Sequence, residues 1–240
     1  REYFTELEMK SIVTEFFSGE AGDGAAARPA EEKSYEIIRN APALEAMIGR
    51  IRAAGIVSMD TETTALSPVE ADLVGMSFSV RAREGWYVPL KGGGLFGESL
   101  MDPDRALAAL KPVLEDPAVK KVGQNIKYDL IVLRNRGIEL AGLFFDTMIA
   151  SYLLNPNERR HNMDDLAERW LNYRTITFKE LTGTGKNAVP VEEVPLEALA
   201  EYAIEDADIT WRLYEIFAPK LEAEDLGALF RELEMPLVPV

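Results

Sequence analysis

The order of apolar and polar positions divides the chain into short strands and longer helical repeats. "SYEIIRN", from Ser34, predicts a first strand. "APALEAMIGRIRAAG" repeats with helical period and stops at Gly55. "IVSMDTET", Ile56 to Thr63, predicts a strand that is buried at its start. "DLVGMSFSV" alternates and runs through "RAREG" into "GWYVPL", the pattern of an antiparallel pair with a short loop. Further on, "DPDRALAALKPVLED" predicts a helix with an Asp-Pro start, "KKVGQN" a strand and "IKYDLIVLRNRG" the helix after it. "LFFDT" then predicts a strand and "MIASYLL" a helix. "NMDDLAERWL" and "TFKEL" predict short helices, and Pro195 to Leu226 one long helix bent near Pro219. A mixed sheet follows, with an antiparallel meander first, then β-α crossovers and helices packed on it: an α/β fold.

The ends read differently. Residues 1–20 read as a short helical or irregular edge with Phe16 and Phe17 as anchors. Ser18 to Lys33, "SGEAGDGAAARPAEEK", has the composition of a flexible linker. The compact unit begins near Ser34. The chain opens on Arg1 rather than Met, which suggests an excised piece. No window is apolar enough to span a membrane and no signal-peptide pattern occurs, so a cytoplasmic protein with no membrane partner is expected.

Composition narrows the chemistry. The 240 residues include no cysteine, which excludes disulfides, thiolate zinc sites and a Cys nucleophile. A single histidine, His161, argues against a His-rich metal site or a Ser–His triad. What remains is carboxylates, hydroxyls, amines and bound ions. The net charge of −15 argues against a nucleic-acid surface but suits a cation site. A phosphate substrate stays possible if a metal or a neighbouring basic domain supplies the positive field.

Asp60 and Glu62 lie two apart on a strand and so share a face. Two carboxylates that close repel each other, and a hard divalent ion between them removes the conflict. A solvated strand end explains the same pair. Asp129 neighbours Ile126, Val132 and Leu133 on its helix, with Asn125 four residues before it. It is either buried with a partner or turned out at the stripe edge. On the last helix, Asp206 faces the core side with Tyr202 one turn before it. Glu205 and Asp208 fall with Glu201, Arg212 and Glu215 on what reads as a solvated face. Together these places supply four inward acids and one tyrosine, enough for two divalent ions about 3.5–4 Å apart, the usual device for in-line phosphoryl displacement.

These words also carry a resemblance. "DTE" at Asp60–Glu62, "NIKYD" at Asn125–Asp129 and "YAIED" at Tyr202–Asp206 resemble the three motifs of the DnaQ-like (DEDD) 3′→5′ exonucleases, in the form with Tyr in the third. "VGQNIKYDL", "MDDLAERWL", "TITFKELTGTGKN" and "YAIEDADITWRLY" resemble the proofreading exonuclease domain of bacterial DNA polymerase I. The resemblance implies a ribonuclease H-like mixed sheet flanked by helices. It implies a catalytic set of Asp60, Glu62, Asp129, Tyr202 and Asp206. Asp60, Glu62 and Asp206 would bind a first Mg²⁺ or Mn²⁺, and Asp60 with Asp129 a second. Tyr202 and Glu62 would orient the attacking water. Leu66 and Phe178 match positions that stack or wedge the terminal bases, and Asn125 one that holds the substrate end; without the family all three would read as core residues. It divides the chain into a tail after a 5′-nuclease domain (1–33), the exonuclease domain (34–222) and the start of a polymerase domain (223–240).

The expected partners are the single-stranded 3′ end of DNA and a polymerase domain, and the expected state is a monomer without polymerase activity of its own. Two other readings stand beside it: a ribonuclease D-like enzyme acting on RNA, and a catalytically silent structural domain. His161 falls outside the motifs and reads as local packing or a phosphate-side contact. "GTGKN", Gly183 to Asn187, is too short for a nucleotide-phosphate loop and reads as a mobile loop near the substrate.

Overall fold

Among the described residues six strands make one sheet, and the second of them carries the fold's chemistry to its centre. The structure is a computed structural model that describes residues 32–91, 101–185 and 188–240. The expected N-terminal edge and nearly all of the linker lie outside the described residues, as do Lys186 and Asn187 of the expected loop. Lys33–Val240 forms one compact unit.

The strands are β1 (Ser34–Ile37), β2 (Ile56–Thr63), β3 (Leu73–Arg81), β4 (Glu84–Pro89), β5 (Lys120–Gly123) and β6 (Leu143–Asp146), in the order β1-β4-β3-β2-β5-β6. β2, β3 and β4 are the expected antiparallel meander. β5 joins β2 in parallel and β6 joins β5 in parallel, as crossovers require. β1 closes the far edge, parallel to β4. Between Glu62 and Thr63 the pairing skips from Gly75 to Leu73, so Val74 is the extra residue of a β-bulge at the end of β2.

Helix α1 (Ala41–Ala54) starts where the Asn40 side chain accepts a hydrogen bond from the Ala43 amide, and it ends at Gly55, whose φ of 68° is left-handed. Its buried Leu44, Met47, Ile48 and Ile51 keep the spacing of one helical face. They share a core with Val57 and Met59 of β2 and with Leu110 of α2 (Pro103–Leu114). Helix α3 (Ile126–Arg134) follows β5, and α4 (Thr147–Leu154) follows β6. A helical turn at Met163–Leu166 (α5) passes into a π-helical segment at Ala167–Leu171, and α6 (Phe178–Thr182) is closed by a capping box between Thr177 and Glu180.

The long helix α7 (Leu196–Ala223) packs over β2, β3 and β4 on the face that Ser58 shares with Asp60 and Glu62. Ser58 Oγ donates to the Ala207 carbonyl, tying helix to strand. Gly85 permits the close approach: a Cβ there would lie 2.5 Å from Ile204 Cγ2. The helix runs unbroken through Pro219, which sits in its final turns, and ends short of the expected Leu226. Beyond it Phe230 packs on Phe145 of β6 at 4.6 Å between ring centroids.

Candidate active site

β2 outruns β5. Only Ile56, Val57 and Ser58 pair with β5, so Met59–Thr63 extend past its end. Asp60 and Glu62 lie on this extension, facing α7. The helix brings Asp206 down on them, and carboxylate oxygens of Asp60, Glu62 and Asp206 all lie within 4.8 Å of one another. Asp129, in the first turn of α3, fills the space beyond the end of β5. It is buried, and Thr61 Oγ1 donates to its Oδ1 at 2.6 Å. The solvent-facing alternative for Asp129 is thereby removed.

These acids are electrostatically costly. Burial raises the carboxyl of Asp60 to about 7. Burial first, and then the charges of its neighbours, hold each of Glu62, Asp129 and Asp206 well above the usual carboxylate range. Oε1 of Glu62 is buried and has no hydrogen-bond partner among the described residues. Buried acids whose oxygens converge in this way are a donor set for a hard divalent cation.

Tyr202, one turn before Asp206, stands beside that carboxylate, and its hydroxyl pulls the raised carboxyl back down. Burial and the surrounding acids raise the phenol far above its ordinary value, so it keeps its proton. The ring of Phe178, at the start of α6, meets the ring of Tyr202 edge-on at 6.5 Å. Neither Phe178 nor Leu66 is a core residue: they are 51% and 96% exposed. The turn that presents Leu66 is held by Tyr128, whose hydroxyl donates to the Ala65 carbonyl at 2.5 Å and lies 2.5 Å from Thr63 Oγ1. Asn125 is exposed, with a left-handed φ of 58° and no side-chain capping bond.

Sequence reasoning passed over Thr61 and Tyr128, although both lie inside the motif words, because neither is an acid. It also passed over Asp146, which is buried but structural: its carboxylate accepts the amides of Asn125, Ile126, Met148 and Ile149. Nδ1 of His161 lies 2.9 Å from Ser151 Oγ and its ring 5.6 Å from that of Tyr152, while its buried Nε2 has no hydrogen-bond partner among the described residues.

Glu205 and Asp208 correct the sequence reading. They are not on a solvated face; each is 1% exposed. Glu205 accepts from the Tyr173 hydroxyl, from Lys33 Nζ at 3.1 Å and from the Ile176 amide at 2.6 Å. Asp208 accepts from the Tyr35 hydroxyl at 2.9 Å and the Arg83 amide at 2.6 Å. β1 and the segment before α6 close over that side of α7. A helical wheel registers neighbours on its own helix and cannot register these.

A mixed sheet with helices on its faces and acids gathered at the end of its second strand is the architecture of the ribonuclease H-like exonucleases. A structure of Brucella melitensis NrnC with bound Mg²⁺ superposes with a TM-score of 0.62 at 21% identity, over 87% of this chain and 90% of that one. The catalytic core of RRP6 from Trypanosoma brucei gives 0.63 at 16% identity, over 87% and 52%. The chain belongs to the 3′-5′ exonuclease family whose model matches residues 35–222. DNA polymerase I of Pseudomonas aeruginosa is 38% identical over 244 residues, an alignment covering 99% of this chain and 27% of that relative. The chain thus spans about a quarter of the length of the curated relatives it matches. Among the described residues no helix is long and apolar enough to cross a membrane.

Proposed function

We propose that this chain is a two-metal-ion 3′→5′ exodeoxyribonuclease, the proofreading domain of a DNA polymerase I, which removes mononucleotides from the 3′ end of a DNA strand. The observation that carries the reading is the convergence of Asp60, Glu62 and Asp206 within 4.8 Å, with buried Asp129 beside them. Asp60, Glu62 and Asp206 would hold one Mg²⁺ or Mn²⁺, and Asp60 with Asp129 a second. When bound, such ions supply a nucleophilic water at neutral pH and offset the charge on the leaving oxygen. The protein's own part is orientation. Tyr202, protonated, and Glu62 align the attacking water in line with the scissile bond. The water oxygen bonds to phosphorus, the bond from phosphorus to the 3′ oxygen breaks, and the departing oxygen takes up a proton. The products are a 5′-mononucleotide and a shortened strand with a free 3′-OH.

Leu66 and Phe178 would stack or wedge the last bases, a use that accounts for large apolar side chains left in solvent. Asn125 would hold the substrate end. The net charge of −15 repels a free strand, so cations and an adjoining basic polymerase domain, entered through residues 223–240, would supply the attraction.

The test uses 5′-labelled single-stranded DNA and RNA of one sequence with excess protein and Mg²⁺ or Mn²⁺. An Asp60→Ala, Asp206→Ala double variant and EDTA serve as controls. A DNA ladder shortening from the 3′ end, absent in both controls, is the expected result. A ladder on RNA alone would move the substrate to RNA, and no ladder at high protein and Mn²⁺ would leave a structural domain.

A further inference from the structure

Three buried polar atoms next to the acids have no hydrogen-bond partner among the described residues: Oε1 of Glu62, the hydroxyl oxygen of Tyr87 and Oγ of Ser77, which stands opposite Asp60. Buried polar groups are almost always paired, so such a cluster of exceptions asks for a cause. That Glu62 and Tyr87 are side by side follows from the strand register. Gly75 of β3 stands directly opposite Glu62 of β2. Residues opposite each other in an antiparallel pair project to one face, with Cβ positions roughly 4.5–5.5 Å apart. Tyr87, on the neighbouring strand β4, lays its ring over Gly75: a Cβ at Gly75 would lie 2.1 Å from the Tyr87 hydroxyl oxygen. The phenol oxygen therefore occupies the place where the side chain opposite Glu62 would begin.

Apolar residues packed in the same cluster as Tyr87 include Val74, Ala203 and Ile204, and Ser77 stands directly opposite it on β3. A phenol carries its proton at neutral pH and is an O–H donor there. Packing alone does not call for that hydroxyl, since phenylalanine fills the same space without an unsatisfied polar atom. Glycine at position 75 is what lets the ring reach so far.

We propose that Tyr87 is a positioning residue for the exonuclease reaction: its hydroxyl donates to Oε1 of Glu62 and holds that carboxylate with its other oxygen turned to the reacting centre. Rotation of a terminal carboxylate is soft, so a small turn of Glu62 makes the bond. The inference rests on the exonuclease reading above and adds to it a residue outside all three motifs.

The experiment compares the wild-type chain with Tyr87→Phe, which removes one oxygen and no packing volume. In EDTA, Tyr87→Phe should still fold and melt within a few degrees of wild type, the scale of one hydrogen bond. With labelled DNA its kcat should fall about 10-fold or more while KM stays within about two-fold, the usual scale for losing a partner that orients a ligand. The rise in melting temperature produced by a fixed concentration of Mn²⁺ should be smaller than in wild type. In a Glu62→Gln background, Tyr87→Phe should change that Mn²⁺ response no further. Wild-type kcat together with a wild-type Mn²⁺ response overturns the proposal, as does an effect on that response that persists undiminished without the Glu62 carboxylate. If the wild-type chain trims no DNA, the exonuclease reading fails, and the Mn²⁺ response still decides the Tyr87–Glu62 pairing.

Discussion

Thr61, the residue between the two acids of β2, donates its hydroxyl to Asp129 of α3 at 2.6 Å. The strand that presents Asp60 and Glu62 on one face thus grips a further acid from its other face. Thr61→Val keeps the shape and removes the donor. Asp129 should then lose its fixed orientation, with kcat on single-stranded DNA falling about 10- to 100-fold. The stability change should stay near 1 kcal/mol, the net worth of one hydrogen bond. Single-turnover trimming beside a urea melt checks both.

Glu62→Gln and Asp206→Asn should each stabilise the cation-free protein and abolish trimming, because each removes a buried charge set against like charges. Differential scanning calorimetry in EDTA reads the first effect and the oligonucleotide assay the second. A lower melting temperature for both variants would contradict the electrostatic picture.

Burial of Asp60 sets a pH dependence. Asp60 moves from 3.8 to about 7 in the folded chain, so between those values the folded state binds a proton more tightly than the unfolded state. Its contribution to stability is fully present below 3.8 and is lost as pH rises through about 7. In EDTA the melting temperature should therefore fall between pH 5.5 and pH 8 by more in wild type than in Asp60→Asn. Added Mn²⁺ should raise the melting temperature most at the upper end of that range, because the ion competes with protons for the same oxygens.

Leu66→Ala and Phe178→Ala should leave stability within about 0.5 kcal/mol, as substitutions at exposed positions do. They should weaken the binding of a single-stranded 3′ end by about 1–3 kcal/mol each, the scale of a lost base–aromatic or base–apolar contact. Fluorescence anisotropy of a labelled oligonucleotide in Ca²⁺ measures the binding, and thermal melts measure the stability.

Lys121 of β5 is fully buried, with Nζ bonded to the Asp116 carbonyl at 2.7 Å, and burial lowers its ammonium to about 8. Below that value Lys121 is protonated in both the folded and the unfolded chain, and the folded chain carries the charge buried. Above it the folded chain sheds a proton that the unfolded chain keeps up to 10.5, so stability rises with pH in this window. Lys121→Met should stabilise the protein at pH 7 by about 1–3 kcal/mol, and the gain should shrink from pH 8 upward. Denaturant melts at pH 7 and pH 9.5 compare the two.

The strands and helices were legible along the chain because each rests on a local rule. Alternation marks β3, the short loop and apolar run after it mark β4, the period of Leu44, Met47, Ile48 and Ile51 marks α1, and Gly55 marks its end. The pair of Asp60 and Glu62 on one face follows from the two-residue period of a strand, and Tyr202 beside Asp206 from the turn of a helix. What the chain does not display is anything decided between elements. The burial of Glu205 and Asp208 depends on β1 reaching the far edge of the sheet and on Tyr173 and Ile176 folding back over α7. The bond from Thr61 to Asp129 exists because β2 outruns β5, and the meeting of Tyr87 with Glu62 because a glycine stands on the strand between them. Sequence spacing determines which side chains share a face. Which faces meet, and which charges are thereby taken out of water, is decided by strand order and packing, which join residues far apart in the chain.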